Sequence, residues 1–206
     1  MITDRLRFGG GAEEALLRRI AVAAEAGVHL VQIRERDLPD GALMTLVARA
    51  VEATRSTRAR ILVNDRLDVA LAAGAHGVHL RADSVPAPRV RAAAPPGFLI
   101  GRSVHTPDEA ARACDDGGLD YLIFGTVFET QSKPARASSG VKGLSDVVAA
   151  ARTLPVLAVG GITTSTARQL SGSGCAGFAA IGLFADGPEA TLAKTVTDVL
   201  APWENR

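Results

Sequence analysis

The stretch RILVNDRLDVALAAGAHGVHL, Arg60 to Leu80, contains one complete repeat of the pattern that sets the fold. It opens on a short apolar run, Ile61 to Val63, that stops at the turn-forming pair Asn64 and Asp65. Leu67 to Ala73 is rich in Ala and Leu and reads as helix, with Gly74 where a helix-ending glycine belongs. Gly77 to Leu80 is a second strand-type run. Strand, helix, strand is the connection that parallel pairing requires, because parallel neighbours need a crossover.

The same alternation continues in both directions. The strand candidates in order are MIT, VHLVQIR, RILVN, GVHL, FLIGRSV, YLIFGTVF, PVLAVGG and GFAAIGLF. Helix-type segments separate or follow them at 13–26, 41–54, 67–73, 85–94, 106–115, 144–151, 164–170 and 188–200, with Asp40, Thr106 and Ser145 as expected caps. Eight such units with no second composition zone predict an α/β chain forming a single (β/α)₈ TIM-barrel domain over residues 1–206. A doubly wound open sheet is the second architecture that fits. The first strand begins at Met1, so either the barrel starts there or its true start lies upstream.

Composition narrows the function classes. The chain has 206 residues, 47% hydrophobic, and a formal net charge of +1. That balance argues against a nucleic-acid partner, which would favour a basic face. The run RSTRAR, Arg55 to Arg60, reads as a solvated helix end. Cys114 and Cys175 are far apart without metal-type spacing, and read as reduced core thiols. MITDRLRFGGG carries charges where a signal peptide needs an apolar region, and no apolar run is long enough to span a bilayer. The expectation is a cytoplasmic enzyme with no membrane partner; a homodimer is left open.

In a (β/α)₈ barrel the chemistry collects where strands end. In VQIRER, alternation puts Gln32 and Arg34 on one face of the strand, with Arg36 just beyond. Strands of a parallel sheet are normally apolar on both faces, so these polar groups need partners. They either make an internal salt bridge or form a floor for an anion, for which guanidinium forks suit phosphate oxygens. Asn64 and Asp65 either cap the next helix or, in Asp65, supply a carboxylate for Mg²⁺ with phosphate. Asp83 in RADS is a second candidate carboxylate, and Ser103 ends the next strand. Gly160 and Gly161 would let the backbone approach a ligand closely. The long polar loop within Tyr121 to Gly140 brings Thr130, Ser132 and Lys133 together, as a basic loop closing over phosphate would. His79 and His105 read as packed or capping residues, and Trp203 as a tail anchor.

Taken together, ITDR, VQIRER, VNDRLDVALAAGAHGVHL, GRSVH, DYLIFGTVFETQSK, GVKGLSDV and AVGGI resemble the thiamine-phosphate synthase and thiazole tautomerase superfamily along essentially the whole chain. The resemblance implies a Mg²⁺-dependent transferase joining hydroxymethylpyrimidine pyrophosphate to thiazole phosphate, with release of pyrophosphate. It implies that Gln32 and Ser103 hold the pyrimidine, and that Arg34, Arg36, Asn64 and Lys133 bind the pyrophosphate. Asp65, with Asp83, would ligate the metal. Thr130, Ser132 and Gly161 would meet the thiazole phosphate, and Arg34, Lys133 and Ser103 would carry catalysis. Two positions depart from the pattern. Aligned without a gap, Ser84 stands at the second metal-ligand Asp of the synthases, one position after Asp83. Thr126 stands where the tautomerases have an acid–base His. Gln32, Asn64, Asp65 and the TQSK loop favour the synthase over a tautomerase acting on carboxythiazole phosphate, or over a non-catalytic thiazole-phosphate-binding paralogue.

Overall fold

The computed structural model describes residues 1–9, 12–130, 138–201 and 203. Its strands are β1 (Leu30–Ile33), β2 (Arg60–Asn64), β3 (Gly77–Leu80), β4 (Leu99–Val104), β5 (Tyr121–Phe124), β6 (Val156–Val159) and β7 (Gly177–Ala179). The helices are α1 (Ala12–Glu25), α2 (Asp40–Ala53), α3 (Leu67–Ala72), α4 (Ala87–Ala93), α5 (Pro107–Asp116), α6 (Gly140–Ala150), α7 (Thr164–Ala167), α8 (Gly182–Ala185) and α9 (Glu189–Leu200). The strands lie in one sheet in chain order, and the pairings β1–β2, β4–β5, β5–β6 and β6–β7 are parallel. Among the described residues no helix is long and apolar enough to cross a membrane.

Eight strands were expected, and seven form among the described residues. The segment MIT makes only an isolated parallel bridge, Ile2 against Gln32. Gln32 N–H donates to the Met1 carbonyl at 2.9 Å, and Thr3 N–H to the Gln32 carbonyl at 3.0 Å. Beyond Asp4 the chain winds into a 3₁₀ turn, Arg5–Phe8, so the ladder stops there. At the other end, only Gly177–Ala179 of GFAAIGLF pairs as strand, and Gly182–Ala185 is helix. Short buried apolar runs carry no period that separates the two states.

Caps were partly as expected. Thr106 caps α5, its hydroxyl accepting from Glu109 N–H at 3.1 Å. Asp40 is instead the first residue of α2, paired with Arg66, and Ser145 lies inside α6. That helix starts at Gly140 rather than Leu144, because Ser139 and Gly140 N–H donate to the carbonyls of Thr126 and Val127.

The chain divides into two compact units, residues 1–78 with 181–206, and residues 79–180. In the first, α1 and α2 bury Leu16, Ile20, Leu46 and Val47. Ile61, Leu62 and Val63 of β2 are each 0% exposed, which shows both faces of the strand covered. Arg19 of α1 is buried with its charge satisfied by the carbonyls of Phe184 and Gly187, and lies 5.3 Å from the Phe8 ring centre. In the second unit the core is Ile100, Leu122, Phe124, Leu144, Val147 and Ala158. Each large side chain so buried contributes roughly 1.5–3 kcal/mol.

Candidate active site

The residues picked out at the strand ends fall into two groups, one in each unit. In the first unit, Gln32 of β1 is only 6% exposed. Its Nε2 donates to Asn64 Oδ1 at 2.9 Å, while its Oε1 has no hydrogen-bond partner among the described residues. A buried acceptor left unmade costs roughly 1–3 kcal/mol, so such groups mark places where something else is meant to bind. Arg34 follows on the same strand face, half-buried, with its backbone N–H donating to Thr3 Oγ1 at 2.9 Å. Burial first, and Arg36 beside it second, push the Arg34 guanidinium below its usual range, while Asp4 and Glu35 offset this only in part. Arginine stays protonated regardless, so the shift reports chiefly a cation held half out of water, with repulsion from Arg36 second.

The internal salt bridge weighed for these arginines does not form among the described residues. The nearby carboxylates have other duties: both oxygens of buried Glu35 accept from Arg5 N–H at 3.1 Å, and Asp37 pairs with Arg5. Asp65 stands at the end of β2, half-buried, with a left-handed φ of 60°. The N-cap position of α3 is Arg66, whose side chain makes no cap hydrogen bond.

A cavity of about 810 Å³ also opens in this unit, lined by Val28, His29, Thr57, Leu200 and Trp203 among others. It lies at the strand beginnings, away from Gln32 and Arg34, with Glu25, Ser56 and Arg58 also in its lining.

In the second unit, Asp83 is exposed and ion-paired with Arg81, whose N–H donates to Ser84 Oγ at 2.9 Å. Arg102, for which the sequence offered no role, donates to the carbonyls of Ala82 and Val85 and so pins this turn. Ser103 of β4 is half-buried, and its Oγ lies 2.9 Å from Nε2 of His79 on β3. Nδ1 of His79 lies 3.1 Å from the Tyr121 hydroxyl, and the two rings stack at 5.6 Å. Burial and the charge of Arg102 hold the His79 imidazole down at about 3, so it is neutral. His105 is tied down too, its Nδ1–H donating to the Gly125 carbonyl at 2.7 Å.

Gly160 and Gly161 have φ of 105° and 62°. The close approach they allow is to the chain's own backbone: a Cβ on Gly161 would sit 2.4 Å from the Glu129 carbonyl oxygen. Phe128 N–H donates to the Gly160 carbonyl at 3.1 Å, which seats the segment leading to half-buried Thr130. Ser132 and Lys133 lie outside the described residues.

The expected Mg²⁺ can be tested against these side chains. Mg²⁺ commonly takes one or two carboxylates and completes its shell with water and substrate phosphate. Asp65 fits that role. Asp83 is engaged by Arg81, and among the described residues no three His, Cys, Asp or Glu groups gather as a metal site. The donor set therefore fits a metal held chiefly by the substrate's phosphates and one carboxylate.

A parallel α/β sheet, carrying at its strand ends two arginines that form no ion pair among the described residues and a neutral polar relay, is of the TIM-barrel-like class. The chain belongs to the thiamine monophosphate synthase family, whose model matches residues 1–184. It is 37% identical over 203 residues to the thiamine-phosphate synthase of Methanoculleus marisnigri, covering 98% of this chain and 94% of that one. A thiamine-phosphate synthase of Roseiflexus castenholzii is 36% identical, covering 98% and 87%. Among solved structures, thiamine phosphate pyrophosphorylase from Pyrococcus furiosus superposes with a TM-score of 0.84 at 30% identity, covering 99% of this chain and 94% of that one.

Three residues of these groups were missed in the sequence. Thr3 anchors the backbone of Arg34, and Tyr121 with Gly101 completes the His79 relay. Tyr121 is the only tyrosine of the chain, and the register pairs it with Gly101 across β4 and β5. A lone polar aromatic opening a strand, with a glycine available opposite, was the signal to be read.

Proposed function

We propose that this transferase is a thiamine-phosphate synthase, coupling hydroxymethylpyrimidine pyrophosphate to thiazole phosphate. The C–O bond between the pyrimidine methylene and pyrophosphate breaks, and pyrophosphate leaves with the electron pair. The thiazole nitrogen then donates its lone pair to the pyrimidine methylene cation, forming the C–N bond of thiamine phosphate.

Catalysis of such a step is mainly charge neutralisation of the leaving group plus positioning. Arg34 and Arg36, with Asn64 alongside, take the pyrophosphate as planar donors. Gln32 Oε1 accepts from the amino group of the pyrimidine. Thr130 and Gly161 meet the thiazole phosphate. Asp65 would hold Mg²⁺, which supplies electrostatic stabilisation of the departing pyrophosphate. The observation that carries the reading is a buried amide oxygen without a partner beside two arginines that form no ion pair among the described residues, on one strand end. Nothing comparable favours a tautomerase, since Thr126 is buried with its methyl group against Gly160.

The test is pyrophosphate release from the pyrimidine substrate with thiazole phosphate present. Chelation of Mg²⁺, or Asp65→Asn, should lower the rate at least about a hundredfold, the scale of removing transition-state charge stabilisation. A rate indifferent to both would remove the metal and Asp65 from the reaction.

A further inference from the structure

The relay from Tyr121 through His79 to Ser103 has a direction. Tyr121 is 6% exposed, and its hydroxyl has one hydrogen-bond partner among the described residues, His79 Nδ1. If Nδ1 carried the imidazole proton, it would donate to the phenol oxygen, and the phenol proton would be buried with no acceptor. Buried donors are not left in that state when a single tautomer shift relieves it. Tyr121 therefore donates to Nδ1, and the neutral ring carries its proton on Nε2. Nε2–H then donates to Ser103 Oγ at 2.9 Å. That contact uses the serine oxygen as acceptor and leaves its own O–H to be given to something else. His79 is itself 2% exposed, and the low affinity of its ring for a second proton keeps the chain of donors from reversing.

Gly101 belongs to the same device. A Cβ there would fall 2.1 Å from Tyr121 Cζ and 2.5 Å from its hydroxyl oxygen. The tyrosine reaches Nδ1 because the strand beside it has no side chain at that position.

We propose that Tyr121 and His79 are positioning residues that fix Ser103 as a hydrogen-bond donor, so that it reads an acceptor atom, an unprotonated nitrogen of the heteroaromatic substrate ring. The identity of that ring rests on the synthase reading; the direction of the relay does not. Ser103 in this state selects for a ring nitrogen and against a C–H or N–H at the same place. It does not act as a base.

Two measurements on the full-length protein test this. Nitrogen-15 labelling of histidine, with His79 assigned through His79→Gln, reports which ring nitrogen bears the proton. The expected result is Nε2 protonated and Nδ1 bare, unchanged between about pH 5 and 8, where an ordinary histidine titrates. A proton on Nδ1, or a doubly protonated ring in that range, overturns the proposal. The second measurement compares kcat/KM for the pyrimidine substrate and for two analogues, each with one ring nitrogen replaced by C–H. Wild type should lose roughly fivefold to tenfold on one analogue, the worth of a neutral hydrogen bond, and Ser103→Ala should lose that preference. Tyr121→Phe should shrink the preference and populate the second His79 tautomer, whereas a purely structural tyrosine would lower all rates in proportion. No preference in wild type for either nitrogen contradicts the proposal. If no pyrimidine substrate turns over, the synthase reading fails, and the labelled histidine spectrum alone decides the relay.

Discussion

Gln32 sets stability against function within one side chain. Its Oε1 is a buried acceptor without a partner among the described residues, a cost that the proposed pyrimidine contact would offset. Gln32→Met keeps the volume and removes the orphan, while half-buried Asn64 Oδ1 loses a neutral donor of similar worth. The melting temperature should hold or rise, while kcat/KM for the pyrimidine substrate should fall roughly tenfold to a hundredfold. A fall in both would mean that the amide serves packing through Asn64. Arg34 follows the same logic with charge. Arg34→Met relieves a half-buried cation repelled by Arg36, so stability should be kept, while KM for the pyrophosphate substrate should rise about a hundredfold. Calorimetry beside steady-state kinetics separates the two effects for either variant. Both residues could be read from the alternation of VQIRER, because two polar groups on one face of a buried strand need a reason. His79 could not. Its partner Tyr121 lies two strands away, and sequence spacing says nothing of a hydrogen bond across that distance.

At the scale of elements, glycines decide which strands and loops can touch. Gly161→Ala combines a left-handed φ with a Cβ 2.4 Å from the Glu129 carbonyl, so the segment running from Val127 to Thr130 must move. A loss of about 1–3 kcal/mol in denaturant unfolding is expected, with a rise in KM for the thiazole phosphate. Gly101→Ala should cost a similar amount by overpacking against Tyr121. An unchanged unfolding midpoint in either variant would contradict the packing described. The strand–helix alternation that predicts these elements is strong because parallel strands and their crossover helices differ in length and composition. It fails at the two ends, for physical reasons. MIT offers only three residues before the Arg5–Phe8 turn, enough for a bridge and not a ladder. In GFAAIGLF the switch from strand to α8 happens inside one apolar run, where Phe184 and Ala185 N–H bond back to the Ile181 carbonyl. The expected caps at Asp40 and Ser145 failed because ion pairing with Arg66 and the early start of α6 gave those residues other places.

For the whole molecule, the buried neutral His79 couples stability to pH. Its folded value, about 3, lies below the ordinary 6.5 because of burial first and Arg102 second. The unfolded chain therefore binds the proton more readily, and stability falls as pH drops from about 6.5 toward 3, by roughly 1 kcal/mol per pH unit from this group. His79→Gln should flatten that part of the stability profile, followed by urea unfolding at stepped pH. The same burial that makes the acid limb steep keeps the ring neutral at neutral pH, where the reaction would run. The family, the parallel sheet and the transferase class frame the central claim, that this chain joins two phosphorylated substrates with release of pyrophosphate. Purified protein with hydroxymethylpyrimidine pyrophosphate, thiazole phosphate and Mg²⁺, read by thiochrome fluorescence, addresses it most directly. Thiamine phosphate should form in equal amount with pyrophosphate and only when both substrates and the metal are present. Both substrates bound with no product formed would contradict the account.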